Sequence, residues 1–296
     1  MLIESDFHSL PSLEEFKRHL EKLKDVQLDN PTIEQIRESY FSIIPFLPRM
    51  LSKMHFQENR HLPFYRVRLN IDPEKEDLGL IRTYSYPSVN YCTKNGRANR
   101  HGKTVFYCSN KAFAAIFESK PKVGDTGYLS IWQNNIIRPL SAAVYLPKHF
   151  DNPNEWQKAA NDTHLFAEEY FKKNGRDKFR HFIALNDFMA DRFIREKYPY
   201  ALSSFVSDEA LFGENGKDLI IYPSVASNSH YCNFAIHPNV VDMYLTFQKV
   251  IRFKVITFDS ELRFQYSTGK IGEVVNNNIV WRTATLEEQV DFNKFP

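Results

Sequence analysis

Residues 105–118 read Val105-Phe106-Tyr107-Cys108-Ser109-Asn110-Lys111-Ala112-Phe113-Ala114-Ala115-Ile116-Phe117-Glu118. The segment Thr104 to Ser109 alternates as a strand does, with Val105, Tyr107 and Ser109 facing one way and Phe106 and Cys108 the other. Asn110 is the expected cap of a helix running to about Glu118, on which Ala114 and Ala115 lie one turn before the carboxylate and share its side. A strand carrying a tyrosine thus feeds a short alanine-rich helix that ends in an acid.

Upstream, Phe64-Tyr65-Arg66-Val67-Arg68-Leu69 alternates as a strand that sets Arg66 and Arg68 on one face. Asp72 to Asp77 is charged and turn-like, Lys94-Asn95-Gly96 is a turn, and Arg97 to Gly102 is a basic, glycine-bounded loop. Downstream, Lys122 to Asp125 turns the chain and Gly127 to Trp132 reads as a strand. Residues Asn154 to Lys197 are mostly helical with a break at Asn174-Gly175. Leu219 to Tyr222 is a short strand stopped by Pro223-Ser224, and Cys232 to Ile236 and Val250 to Phe258 read as further strands. Helices and strands are intermixed without regular βαβ alternation, so the expected class is α+β.

The first sixty residues or so read as helical. Ser12 and Glu15 form a capping-box pattern before Leu13, Phe16, Leu20 and Leu23. A second start lies at Asn30-Pro31-Thr32, with Pro31 in the first turn, Ile33, Ile36 and Tyr40 on one side, and Pro45 and Pro48 limiting the helix. The expected organisation is a helical extension over 1–60 and one larger domain over 61–296, with a helical insertion at about 133–197.

Composition narrows the classes of function. Hydrophobic residues make up 43% and charged residues 25%, which is globular chemistry, and the aromatic share of 15% can supply both core and stacking surfaces. A net charge of +2 gives no reason to expect nucleic-acid binding. Cys92, Cys108 and Cys232 are odd in number and lack C-x-x-C spacing, so neither a disulfide framework nor a zinc site is expected. The start of the chain lacks a signal-peptide layout, and the apolar stretch from Phe41 to Leu47 is too short for a bilayer and broken by Pro45. Cytoplasmic localisation, with no membrane association, is the expectation.

Arginine beside backbone donors at a glycine turn can hold a pyrophosphate. The order of these pieces resembles the RES-domain family, named for its Arg, Glu and Ser. The matching text is Phe64 to Arg68, Gly96 to Gly102, Val105 to Ser109, Ala114 to Glu118, Gly124-Asp125, Tyr222-Pro223-Ser224-Val225 and Asn233 to Ile236, within roughly Leu62 to Phe258. Two departures stand out: Arg100-His101 replace a frequent proline pair, and the stretch from Gln133 to Lys197 is longer than in compact members. The resemblance implies an ADP-ribosyltransferase-like split β-sheet and a toxin-like enzyme that consumes NAD by hydrolysis or phosphorolysis. It also implies NAD as substrate with no resident cofactor or metal, and a helix-turn-helix antitoxin as partner. On matching positions, Arg66 would hold phosphate or ribose oxygens, Tyr107 would pack on nicotinamide, Glu118 would bind the nicotinamide ribose, and Ser224 would orient ribose or Glu118. Arg97 and Asn233 are additional binding candidates. ADP-ribosyl transfer to a protein and an inactive binding module are the alternatives. His101 could be read as a base, but a loop histidine beside Arg100 is expected to be solvated.

Overall fold

The computed structural model describes residues 10–24, 32–42, 52–54, 62–148, 156–174, 176–213, 216–258 and 264–289. Pro31, Pro45, Pro48, Asn154 and Gly175, and with them the expected limits of the second helix and of the helical stretch, lie outside those residues. Helices and sheets are mixed in an α+β arrangement. Among the described residues no helix is long and apolar enough to cross a membrane. All three cysteines are buried, and none forms a disulfide.

The chain divides into two compact units, one built from 1–54, 89–104 and 140–223, the other from 55–88, 105–139 and 224–296. This differs from the expected boundary at residue 60. The N-terminal helices belong with the central helical stretch because their apolar faces are buried on it: Phe16 packs on His181 at 5.1 Å and Tyr40 on Phe205 at 5.6 Å, and both Phe16 and Tyr40 are wholly buried.

The first unit holds α1 (Leu13–Lys24), α2 (Ile33–Phe41), β1 (Ser52–Met54), β5 (Leu140–Val144), α4 (Gln157–Asn174), α5 (Arg176–Arg195), α6 (Ala201–Phe212) and β6 (Leu219–Pro223). The stretch 133–197 is therefore not wholly helical. It contains β5, whose buried Leu140, Ala142, Ala143 and Val144 suit a strand covered on both faces. Strand β5 pairs antiparallel with β1 and parallel with β6. Parallel neighbours require a long crossover, which α4, α5 and α6 supply. Ser12 Oγ accepts the Glu15 amide at the start of α1 as its spacing predicts. For α2 the cap is Thr32, in a full box with Gln35.

The second unit holds a five-stranded antiparallel sheet in the order β10-β9-β8-β4-β2, with β2 at Phe64–Leu69, β4 at Thr126–Asn134, β8 at Leu245–Phe258, β9 at Phe264–Val275 and β10 at Asn278–Thr283. It also holds β3 (Phe106–Cys108) paired with β7 (Cys232–Ile236), α3 (Ala112–Glu118) and α7 (Pro238–Tyr244). One face of the large sheet presents Tyr65, Leu129, Ile131, Ile251, Phe253 and Val255, which bury Ala112, Ala115, Ile116 and Phe117 of α3. The other face carries an aromatic layer in which Trp132 meets Phe106 and Phe247, each at 5.3 Å and nearly perpendicular. A bulge lets β8 serve both faces. Ile131 pairs with Lys249 but Trp132 with Phe247, so Gln248 is the extra residue, and odd-numbered side chains change face across it. Gly127 is required where the Phe253 ring lies against its Cα, since any Cβ there would overlap the ring.

Candidate active site

The short helix α3 is anchored by its alanines and Ile116, and this fixes where its final residue, Glu118, emerges. Its N-cap is Lys111, not Asn110, and makes no side-chain cap bond. The Ser109 hydroxyl, one residue before Asn110, accepts the Lys111 amide at 3.3 Å, so the chain turns into the helix one residue later than the capping preference of asparagine suggests. Glu118 sits at the negative end of the helix dipole, where a carboxylate is disfavoured by about 0.3–1 kcal/mol.

What holds the carboxylate there is a turn made by residues 224–231. Ser224 Oγ donates to Glu118 Oε1 at 2.7 Å, and the Ala226 amide donates to the same oxygen at 3.3 Å. The Ser224 hydroxyl also accepts the Ser227 amide at 3.3 Å, which leaves its own proton for Glu118. Ser224 and Ser227 are wholly buried, whereas Glu118 is half-buried. The turn is tight: Asn228 and Ser229 adopt left-handed backbone with φ of 48° and 62°, and the Ser229 amide closes on Ser224 O at 2.9 Å. His230 Nδ1 lies 2.7 Å from Ser227 O, and because a carbonyl only accepts, Nδ1 carries the proton in that bond. Glu118 Oε2 takes part in none of these bonds, and among the described residues no cation pairs with Glu118.

A second pair forms where β2 meets β3. The two strands share a single bridge, in which the Tyr65 amide reaches Ser109 O at 2.7 Å and the Ser109 amide reaches Tyr65 O at 3.0 Å. Beyond it the ladder does not continue to Arg66 and Tyr107. There Arg66 Nη1 donates to Tyr107 O at 3.0 Å, and the guanidinium lies 5.7 Å from the Phe106 ring centre. Phe106 and Cys108 are buried and Tyr107 is half-buried, as the alternation predicts, so the Arg66 guanidinium lies toward the Phe106 face while the Tyr107 ring belongs to the other. Burial pushes the Cys108 thiol pKa well up, and the Arg66 charge partly offsets that. Tyr107 pairs with Ala235 across the β3–β7 ladder, and Asn233, two residues along β7, shares its face.

Arg68, two residues from Arg66 on the same strand, is committed to structure. Its guanidinium grips Glu76 with both nitrogens, at 2.5 and 2.7 Å, and donates to Thr83 O at 2.7 Å. Arg97 belongs to the first unit, where Nη1 donates to Phe193 O and the guanidinium covers Tyr200 at 4.9 Å from the ring centre. In the same loop, Arg100 pairs with Asp208 at 2.8 Å, and the His101 side chain is exposed. The structure therefore joins Glu118 directly to Ser224, and Arg66 to the main chain of Tyr107. Ser227 is the buried member that the sequence hides. A string of small polar residues from Ser227 to His230 reads as a solvated loop, and only the left-handed turn brings Ser227 under Ser224.

Comparison of the chain with models of protein families, with curated proteins and with solved structures found no match in any of the three.

Proposed function

We propose that this chain cleaves the nicotinamide–ribose bond of NAD, with water or phosphate as the acceptor. The observation that carries the reading is the state of Glu118: a half-buried carboxylate, held on one oxygen by a hydroxyl and an amide and compensated by no cation among the described residues. Such a group suits a reaction in which positive charge develops on a sugar carbon. When the carbon–nitrogen bond breaks, its electron pair goes to the pyridinium nitrogen, so nicotinamide leaves neutral and no general acid is needed. Glu118 stabilises the oxocarbenium-like ribose by charge and by a hydrogen bond to a ribose hydroxyl. An oxygen of water or phosphate then bonds to that carbon, and the acceptor's proton passes to solvent.

In this reading Ser224 holds Glu118 in place, Tyr107 offers its half-buried ring to nicotinamide, and Arg66 and Asn233 serve the phosphate and ribose oxygens. Arg97 belongs to the first unit and its guanidinium already bonds Phe193 O, so it has no role in this reading. The parting of β2 from β3 after one bridge supports an ADP-ribosyltransferase-like split sheet. An enzyme that drains NAD also needs restraint, so a helix-turn-helix antitoxin is the proposed partner.

The test is incubation of purified protein with NAD, with and without phosphate, followed by mass spectrometry. Free nicotinamide with ADP-ribose, or with ADP-ribose phosphorylated at the cleaved carbon, is the expected result. Intact NAD after incubation with folded protein would overturn the reading, and mass added to a protein would replace hydrolysis by transfer.

A further inference from the structure

A second site lies within the first unit and is built from different chemistry. Helices α1, α2, α5 and the start of α6 enclose a cavity of about 400 Å³, a volume in the range of small-molecule sites. Lys24, Arg192, Arg195 and Lys197 line it, against a single lining carboxylate, Glu196. Glu196 is already engaged, since its two oxygens accept the Leu202 and Ser203 amides at 2.9 and 2.8 Å and so cap α6. Lys24 pairs with Glu21 at 2.7 Å, and Arg192 and Arg195 share Asp191 at 2.5 and 2.9 Å. Lys197 is exposed and has no ion pair among the described residues. Two of the lining residues also carry a buried donor that has no hydrogen-bond partner among the described residues, Arg192 Nε and the hydroxyl of the wholly buried Tyr40.

Four cations around one cavity, with their carboxylates outnumbered and one of those bound to a helix end, leave local positive charge. Buried donors left without acceptors are rare, because each loses its hydration without replacement. An anion with several oxygens would offset that charge. We propose that this cavity is a binding site for a small phosphorylated ligand, with Lys197 and Arg192 as its principal contacts and Tyr40 at its floor. Lys197 supplies the uncompensated charge. Arg192 has its Nη2 on Asp191 and can direct its remaining nitrogens to phosphoryl oxygens, as guanidinium groups do. The proposal concerns residues of the first unit alone and holds whether or not NAD is the substrate of Glu118.

The probe is inorganic pyrophosphate, titrated calorimetrically into the full chain. Saturable binding is expected, about tenfold or more weaker in Lys197→Ala, since a charge-assisted contact is commonly of that size. Lys197 is exposed, so this variant keeps its fold; Arg192→Gln is expected to weaken binding similarly, and Tyr40→Phe less. Arg252→Ala, an exposed cation of the other unit with no part in the NAD reading, is expected to bind pyrophosphate as wild type does. No saturable binding by the wild-type chain would overturn the proposal. Affinity unchanged in Lys197→Ala and Arg192→Gln, or lost in Arg252→Ala with Lys197→Ala unaffected, would equally overturn it.

Discussion

Two acidic sites in the second unit treat their charge in opposite ways. At the end of the large sheet, Arg282 stands between Glu273 and Glu288, bonding the first at 2.7 and 3.2 Å and the second with two bonds of 2.6 Å. The guanidinium holds both carboxyls below their ordinary range, and Glu288, which also accepts the Thr285 amide, is lowered to about 2. Glu118 has no such partner. Its Oε1 is gripped by a serine hydroxyl and a backbone amide, at the unfavourable end of a helix. A carboxylate inside a salt bridge is neutralised by its neighbour, so it can fasten a surface but has little field left for anything else. One oriented by neutral donors keeps its full charge in a fixed place, which is what a cationic transition state requires.

The sharpest way to break this contrast is Glu118→Gln, which keeps shape and removes charge. NAD turnover is expected to fall about a hundredfold to a thousandfold, with NAD affinity and melting temperature little changed. Near wild-type turnover by a normally melting variant would dismiss the catalytic reading of the site. Ser224→Ala comes next. It leaves the charge but removes the shorter of the two bonds that fix it, so turnover should drop roughly tenfold to a hundredfold. The drop should lie in kcat and not in KM, because a merely structural serine would lower stability without that split. A smaller loss is expected at Tyr107, where Tyr107→Ala should cost about tenfold through lost stacking, and Tyr107→Phe should retain most activity. Equal loss in both variants would move the role from the ring to the hydroxyl.

How much of this was readable beforehand depends on the range of the forces involved. Strands β2 and β7 were legible to the residue, and β3 and the stretch around β4 nearly so, because short apolar or alternating runs are local signals. The Glu118 helix was legible except for its cap. By contrast, β9 and β10 carry no clear local signal. They mix polar and apolar residues and are partly exposed, and their turn is the Asn276-Asn277 pair with φ of 51° and 64°, a hairpin signal that the neighbouring asparagines conceal. Strand β5 reads as part of a helical stretch because small and aliphatic residues fit either state, and only its pairing with β6 decides. At the site, motif order singled out Glu118 and Ser224, and the structure joins them by a hydrogen bond. It could not foresee that Arg68 would be locked to Glu76, or that Arg97 would be bound to a helix carbonyl. Partners that distant in sequence leave no local trace.

The smallest expected effect tests the other half of the contrast. Glu288→Gln removes one arm of the Arg282 cluster, at a half-buried surface site where ion pairs are largely screened and contribute only about 0.5 kcal/mol. For a chain of this size that is a loss of about 1–2 °C in melting temperature near neutral pH. The pH dependence fixes the sign. The Glu288 carboxyl is lowered to about 2 in the folded protein, by Arg282 first and the Thr285 amide second, whereas an unfolded glutamate titrates near about 4.3. A depressed folded pKa gives stability that is fully present above the unfolded value and is lost as pH falls toward the folded one. The gap in melting temperature between wild type and Glu288→Gln should therefore be constant above about pH 5, narrow between about pH 4.3 and about pH 2, and shrink in high salt. Turnover of NAD by Glu288→Gln should match wild type, because the charge removed was already neutralised by Arg282. If this substitution instead reduced turnover as far as Glu118→Gln does, pairing with arginine would not be what separates the two sites. The uncompensated charge of Glu118 would then lose its claim to the chemistry.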